Sequence, residues 1–141
     1  CYYHRRLFAQ LAKELIKQGD HVRARKVLTY VEQAVPAYNV PEIYESGSFD
    51  IATAYAALGE KTKAVTLFNH LIAESEDYIN WAFSLGNGRT GMMQNDCLYK
   101  FWQWNAYNER MKEIDKESYE ASNRRFEEKY ALFTQIINNR N

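Results

Sequence analysis

The chain has 141 residues, 46% hydrophobic and 26% charged, the size and composition of one globular domain rather than a disordered tail. Its 18 basic and 18 acidic residues balance, so no global field draws it to nucleic acid or to an anionic membrane. No run approaches the ~18 apolar residues that would span a bilayer.

The opening Cys-Tyr-Tyr-His-Arg-Arg lies inside a helical pattern. It has no initiator Met and no signal-peptide pattern, and is read as part of a longer protein. The first helix is predicted over about 3–18, with Leu7, Phe8, Leu11, Leu15 and Ile16 at helical spacing and Ala12 small enough for a close neighbour. Gly19 suits the left-handed position after a helix, and Asp20 suits the cap of the next one. Ala24, Val27, Leu28 and Val31 form the second buried stripe, which Pro36 ends.

Residues 36–47 hold both prolines, Pro36 and Pro41, and close on Gly47. They predict an ordered loop pinned by Tyr38, Ile43 or Tyr44. Ser48 is a candidate cap for a third helix that Gly59 closes. From Lys61 no breaker occurs before Gly86. This stretch is either one long helix or two joined by a bend near Glu76–Asp77. GNGRTG, residues 86–91, is read as a turn. Beyond it, Leu98, Phe101, Trp102, Asn105 and Met111 mark one helix, and Phe126, Tyr130, Phe133 and Ile137 another, with a turn near Asp115–Ser118; one continuous helix is the alternative. No stretch shows sustained strand alternation.

The fold class is therefore all-α. Phe8, Leu11, Ala12, Leu15, Gly19, Ala24, Leu28, Val31 and Pro36 fall at the offsets of one tetratricopeptide (TPR) unit, a helix–turn–helix of about 34 residues. Ile51, Ala52, Tyr55, Gly59, Ala64, Phe68 and Leu71 repeat them, with a period of 59 − 19 = 40 and so an insert of about six residues. The expected organisation is a single domain over 1–141. One repeat covers about 3–36 and a second about 48–75; helices over about 76–138 form a C-terminal hairpin that caps the stack. Residues 1–40 carry 7 basic and 3 acidic side chains, and residues 41–80 carry 2 and 7. Neighbouring repeats thus attract.

Little in the sequence suggests chemistry. Gly86-Asn87-Gly88-Arg89-Thr90-Gly91 spells G-x-G-x-x-G, but a dinucleotide site needs a preceding strand. What remains is a turn where Arg89 and free N–H groups could hold an anion. His4, His21 and His70 lie in separate helices, and Cys1 with His4 supplies half a zinc site at most. Two cysteines, Cys1 and Cys97, make no disulfide framework. No catalytic residue, metal or cofactor is expected.

The distinctive surface candidate is aromatic: Tyr78, Trp81, Tyr99, Trp102 and Trp104 bracket the Gly-rich turn. One helix cannot bury Tyr99, Phe101, Trp102 and Trp104 on a single face, since the turn from Phe101 is about 100° to Trp102, and about 300° (about 60° the other way) to Trp104. Some of these rings must reach solvent or a partner, or else the helix is packed on two sides. A second candidate surface is the concave side lined by first helices, at Arg5, Gln10, Glu14, Thr53 and Ala57.

The core LAKELIKQGDHVRARKVL, the P-x-x-x-V-P insert and FDIATAYAALGEKTKAVTLFNHLIAES, followed by the aromatic helix, resemble the C-terminal region of a bacterial multi-pass membrane family. That family is common in Bacteroidetes and similar to GT-C type protein O-mannosyltransferases. The resemblance covers about residues 3–110. It implies a non-catalytic, periplasmic helical-repeat domain attached to a membrane-embedded transferase; without it, a cytoplasmic adaptor is expected. The scaffold positions that carry over are Ala12, Gly19, Ala24, Pro36, Ala52, Gly59 and Ala64. The partner implied is a protein or the chain's own membrane part. A saccharide- or acceptor-binding module is the alternative, with no nucleic acid and no membrane insertion by this segment.

Overall fold

The computed structural model describes residues 2–139. The protein is all-helical, with 85% of it in helix and no strand among the described residues. The helices are α1 (Tyr2–Lys17), α2 (His21–Ala34), α3 (Ser48–Ala57), α4 (Lys61–Ser84), α5 (Asn87–Met92), α6 (Gln94–Ile114) and α7 (Lys116–Asn138). None is long and apolar enough to cross a membrane. The chain forms two compact units, residues 1–71 and 72–141.

In the first unit, α1 packs on α2 and on α3. Ala9 and Ala12 of α1 and Ala24 of α2 are fully buried, which lets backbones approach closely. The two helical corners are built alike. Gly19 (φ +78°) and Gly59 (φ +77°) take the left-handed conformation that a Cβ would oppose. Asp20 N–H donates to Leu15 O at 2.9 Å and Gly19 N–H to Ile16 O at 3.0 Å; Glu60 N–H donates to Tyr55 O at 2.9 Å and Gly59 N–H to Ala56 O at 3.1 Å. These paired bonds satisfy carbonyls that the helix ends leave open. Asp20 caps α2 as expected, accepting from Arg23 N–H at 3.0 Å. Ala12 and Ala52, Ala24 and Ala64, and Leu28 and Phe68 are equivalent pairs one period apart, and all six are fully buried.

Two local expectations need correction. Ser48 does not cap α3; that position belongs to Gly47, at φ +86°, and the Ser48 hydroxyl is buried instead. Of the three residues expected to pin the insert, Tyr38 is almost wholly exposed, whereas Ile43 and Tyr44 are half-buried and Tyr44 packs on Phe49; Val40, which is buried, and Arg5, as described below, hold it as well.

In the second unit, the C-terminal half of α4 joins α5, α6 and α7. Helix α4 is one continuous helix of 24 residues. The break expected across 86–91 occurs only at Gly86 (φ +87°). Residues 87–92 wind into a short helix because Thr90 Oγ1 donates to Ala82 O at 2.7 Å and folds the turn back onto α4. The hairpin of α6 and α7 turns at Asp115 alone. Along it Phe101 and Trp104 meet Phe126 edge-on, and Phe101 also meets Tyr130 and Phe133. Lys100–Glu74 (2.7 Å) and Arg125–Glu76 (3.1 Å) tie α4 to α6 and α7.

Candidate functional site

The first unit contains an open cavity of about 320 Å³ between α2, α3, α4 and the insert. Its walls are Val31, Val35, Pro36, Ile51, Leu67 and the Tyr55 ring. An apolar wall with few polar groups at the rim is the usual build of a ligand site. The insert forms part of it, with Pro36, Ala37 and Glu42 in its lining.

Arg5 holds the insert in place. Its residue is only 4% exposed, and its guanidinium makes five hydrogen bonds. Nη1 donates to Pro41 O (2.8 Å), Ser46 Oγ (3.0 Å) and Ser48 Oγ (3.4 Å). Nη2 donates to Val35 O (2.8 Å) and Val40 O (2.6 Å). A planar fork of fixed donors suits a cage of carbonyls. Burial lowers the Arg5 pKa, and the nearby charge of Glu42 opposes that shift. Arg5 lines the cavity but is buried rather than exposed as expected. It points into the unit, where the insert's backbone needs a donor that water cannot supply.

One ion pair and one histidine–carboxylate hydrogen bond cross the cavity mouth. Glu32 accepts from the Tyr55 hydroxyl and lies 3.5 Å from Lys63 Nζ, which also stands 5.1 Å over the Tyr55 ring. Glu42 lies 2.7 Å from His70 Nδ1. Burial and the bond to Glu32 push the Tyr55 phenol far above its ordinary pKa. The rim carboxylates are thus engaged in holding α2 and the insert against α3 and α4.

The aromatic candidates divide. Phe101 is buried, and Trp104 is core: it is fully buried, and its Nε1–H donates to Ser122 Oγ at 2.8 Å. Ser122 in turn donates to Asn108 Oδ1 at 2.6 Å. The expectation of Trp104 at a surface is overturned, because α7 covers that side of α6. Trp102 (53% exposed) and Tyr99 (44%) stack on each other at 5.9 Å, and Trp81 (50%) meets Tyr78 edge-on at 5.5 Å. Burial and Asp96 raise the Tyr78 pKa. Arg89 is exposed on α5, a helix of six residues. Gln10, Glu14 and Ala57 are exposed and Thr53 is half-buried; none of these four lines the cavity. Cys97 is a free, buried thiol whose pKa burial raises, and Cys1 lies outside the described residues. No group of three or more His, Cys, Asp or Glu among the described residues is placed to hold a metal.

The sequence reading missed Glu32, Glu42, Tyr55, Lys63 and His70 as one constellation. The available signal was the insert itself: a repeat pair spaced wider than its helices can fill must either pack the loop between them or leave a cavity. Compared with known proteins, the chain matches no protein-family model, no curated protein and no solved structure.

Proposed function

We propose that residues 2–71 are a TPR-type helical-repeat module that binds a segment of another protein, or of its own membrane-embedded part, by seating an apolar side chain in the cavity. The observation that carries this is the cavity's construction, with apolar walls kept open by a buried arginine clamp and a rim of paired charges. Rim groups already committed to ion pairs orient a ligand rather than carry out proton transfer on it. The role is non-catalytic. The resemblance to the tail of O-mannosyltransferase-like membrane proteins supports a periplasmic partner beside the bilayer.

Thr66 is exposed and lines the cavity, so Thr66→Trp fills the space from its rim without disturbing the core. Peptides selected from a displayed library against the protein are expected to share an apolar anchor and to lose about tenfold or more in affinity for Thr66→Trp, the equivalent of about 1.4 kcal/mol. Peptides that bind the variant equally well refute the cavity as the site.

A second reading, a saccharide-binding accessory module, draws on the half-exposed indoles of Trp81 and Trp102, since such rings offer a flat apolar body to a sugar face. Titration with envelope glycans tests it. Trp81→Ala and Trp102→Ala should weaken a measurable association; no association at millimolar glycan sinks it.

A further inference from the structure

The two hairpins of the first unit repeat one pattern, yet one face has a different fate in each copy. The second hairpin bonds the first through Tyr55, Glu60 and Lys63, and Ile51 and Leu67 line the cavity beside them, opposite Val31 and Val35 of the first hairpin. One period before Ile51, Tyr55, Glu60, Lys63 and Leu67 stand Leu11, Leu15, Asp20, Arg23 and Val27. Ile51 is 5% exposed and Leu67 9%, on the side that faces the first hairpin. Their equivalents are uncovered: Leu11 is 46% exposed, and Leu15 and Val27 are half-buried. Beside them Tyr30 is 56% exposed and packs edge-on against Phe8 at 5.3 Å. A contiguous apolar face of this kind on a repeat is a contact surface rather than scattered exposure.

We propose that this face of α1 and α2 docks a further helix–turn–helix hairpin, in the manner in which the second hairpin receives the first. The existing interface specifies the occupant's chemistry. Arg25 of the first hairpin reaches Leu58 O at 2.8 Å and Glu60 at 3.4 Å, and Glu32 reaches Lys63 and Tyr55. Asp20 and Arg23 stand where Glu60 and Lys63 stand in the second copy. At present they pair with each other at 2.9 Å across an exposed turn, a weak pair that is easily exchanged. The incoming hairpin therefore carries a cation opposite Asp20, a carboxylate opposite Arg23 and an apolar residue between them.

A second copy of this chain does not fit. The matching surface of its first hairpin is already covered by its own second hairpin. That second hairpin has Val65 and Ile72 where the first has Arg25 and Glu32, and so lacks both charges.

The test extends the full chain at its N-terminus by a copy of its own residues 1–40, which supplies one further hairpin in the correct period. The extended protein is expected to melt about 5 °C or more above the parent, with slowed amide exchange in the original α1 and α2. Leu11→Lys combined with Tyr30→Lys is expected to lower the parent's Tm by only a few degrees, through loss of the Tyr30–Phe8 contact, and to abolish the gain of the extended protein over a parent carrying the same two changes. An extension that gives no gain, or the same gain with the double variant, overturns the inference. So does a parent that sediments as a dimer dissociated by the double variant, because the occupant is then a second copy. The inference shares the internal repeat with the binding reading but not the cavity. Thr66→Trp leaves its outcome unchanged, so the two fail separately.

Discussion

Replacing Arg5 by Met keeps most of the apolar stem and removes every donor of the clamp. Three backbone carbonyls, those of Val35, Val40 and Pro41, lose their partner. Ser46 and Ser48 still bond each other at 3.0 Å, and Ser46 still donates to Ile43 O at 2.8 Å, so the hydroxyls lose little. Pro41 is exposed and its carbonyl can turn to water, whereas Val40 is buried and Val35 half-buried. An acceptor left unpaired inside costs about 1–3 kcal/mol. Two such acceptors give about 2–6 kcal/mol, and relief from burying a charge without a bonded carboxylate returns part of that. A net loss of about 3 kcal/mol is expected, or about 10 °C in Tm for a chain of this size. Urea unfolding followed by circular dichroism gives the loss, and amide exchange over residues 36–47 locates it. Arg5→Met with unchanged midpoint and unchanged protection of the insert would refute the clamp. Loss of stability without loss of protection there would show that Arg5 matters only for packing.

Gly47 sits at φ +86°, where an added Cβ would stand 2.9 Å from Arg6 Cγ and 3.0 Å from Arg6 Cα; Gly47→Ala should cost about 2–4 kcal/mol in chemical denaturation, from left-handed strain together with overpacking. Tyr55 carries a phenol raised from its ordinary 10.0 by burial and by Glu32. The unfolded chain ionises first, so stability is full below pH ~10 and falls by up to about 1.4 kcal/mol per pH unit above it; Tyr55→Phe should flatten that alkaline limb, and an unchanged slope would remove the role of Tyr55. Ser122→Ala leaves the buried Trp104 Nε1–H and Asn108 Oδ1 without their shared partner and should cost about 2 kcal/mol, whereas Trp81→Ala, half-exposed, should stay within about 0.5 kcal/mol. Cys97 should react with a thiol reagent only as fast as the second unit opens, a rate read from the colour change in native buffer and in denaturant.

Much of the fold was legible from local chemistry. Gly19 and Gly59 mark helix ends because only a residue without a Cβ takes their conformation freely, and Asp20 marks a start because its carboxylate fits an unpaired N–H. Apolar spacing located α1 and α2 to within a residue or two, and marked α6 and α7 without their N-terminal bounds. Long-range partners were not legible. Arg5 looks like any exposed arginine on a helix, and nothing near it in the chain reveals that Val35, Val40 and Pro41 will gather around its guanidinium 30–36 residues away. Trp104 and Trp102 lie two residues apart on one helix, and spacing alone shows that they diverge, not which of them α7 covers. The cavity escaped for the same reason: it is the space left between elements rather than a property of any one.

All three tryptophans, Trp81, Trp102 and Trp104, belong to the second unit. The first unit and its cavity therefore carry no indole of their own. Trp104 reports from a dry interior while Trp81 and Trp102 report from half-wet surroundings, so a quencher such as acrylamide should separate a protected component from an accessible one. No indole lines the cavity beside Tyr55, so a tryptophan titration carries no direct reporter of its filling. The Thr66→Trp variant places an indole at the cavity mouth, and its emission reads whether that ring has filled the space itself.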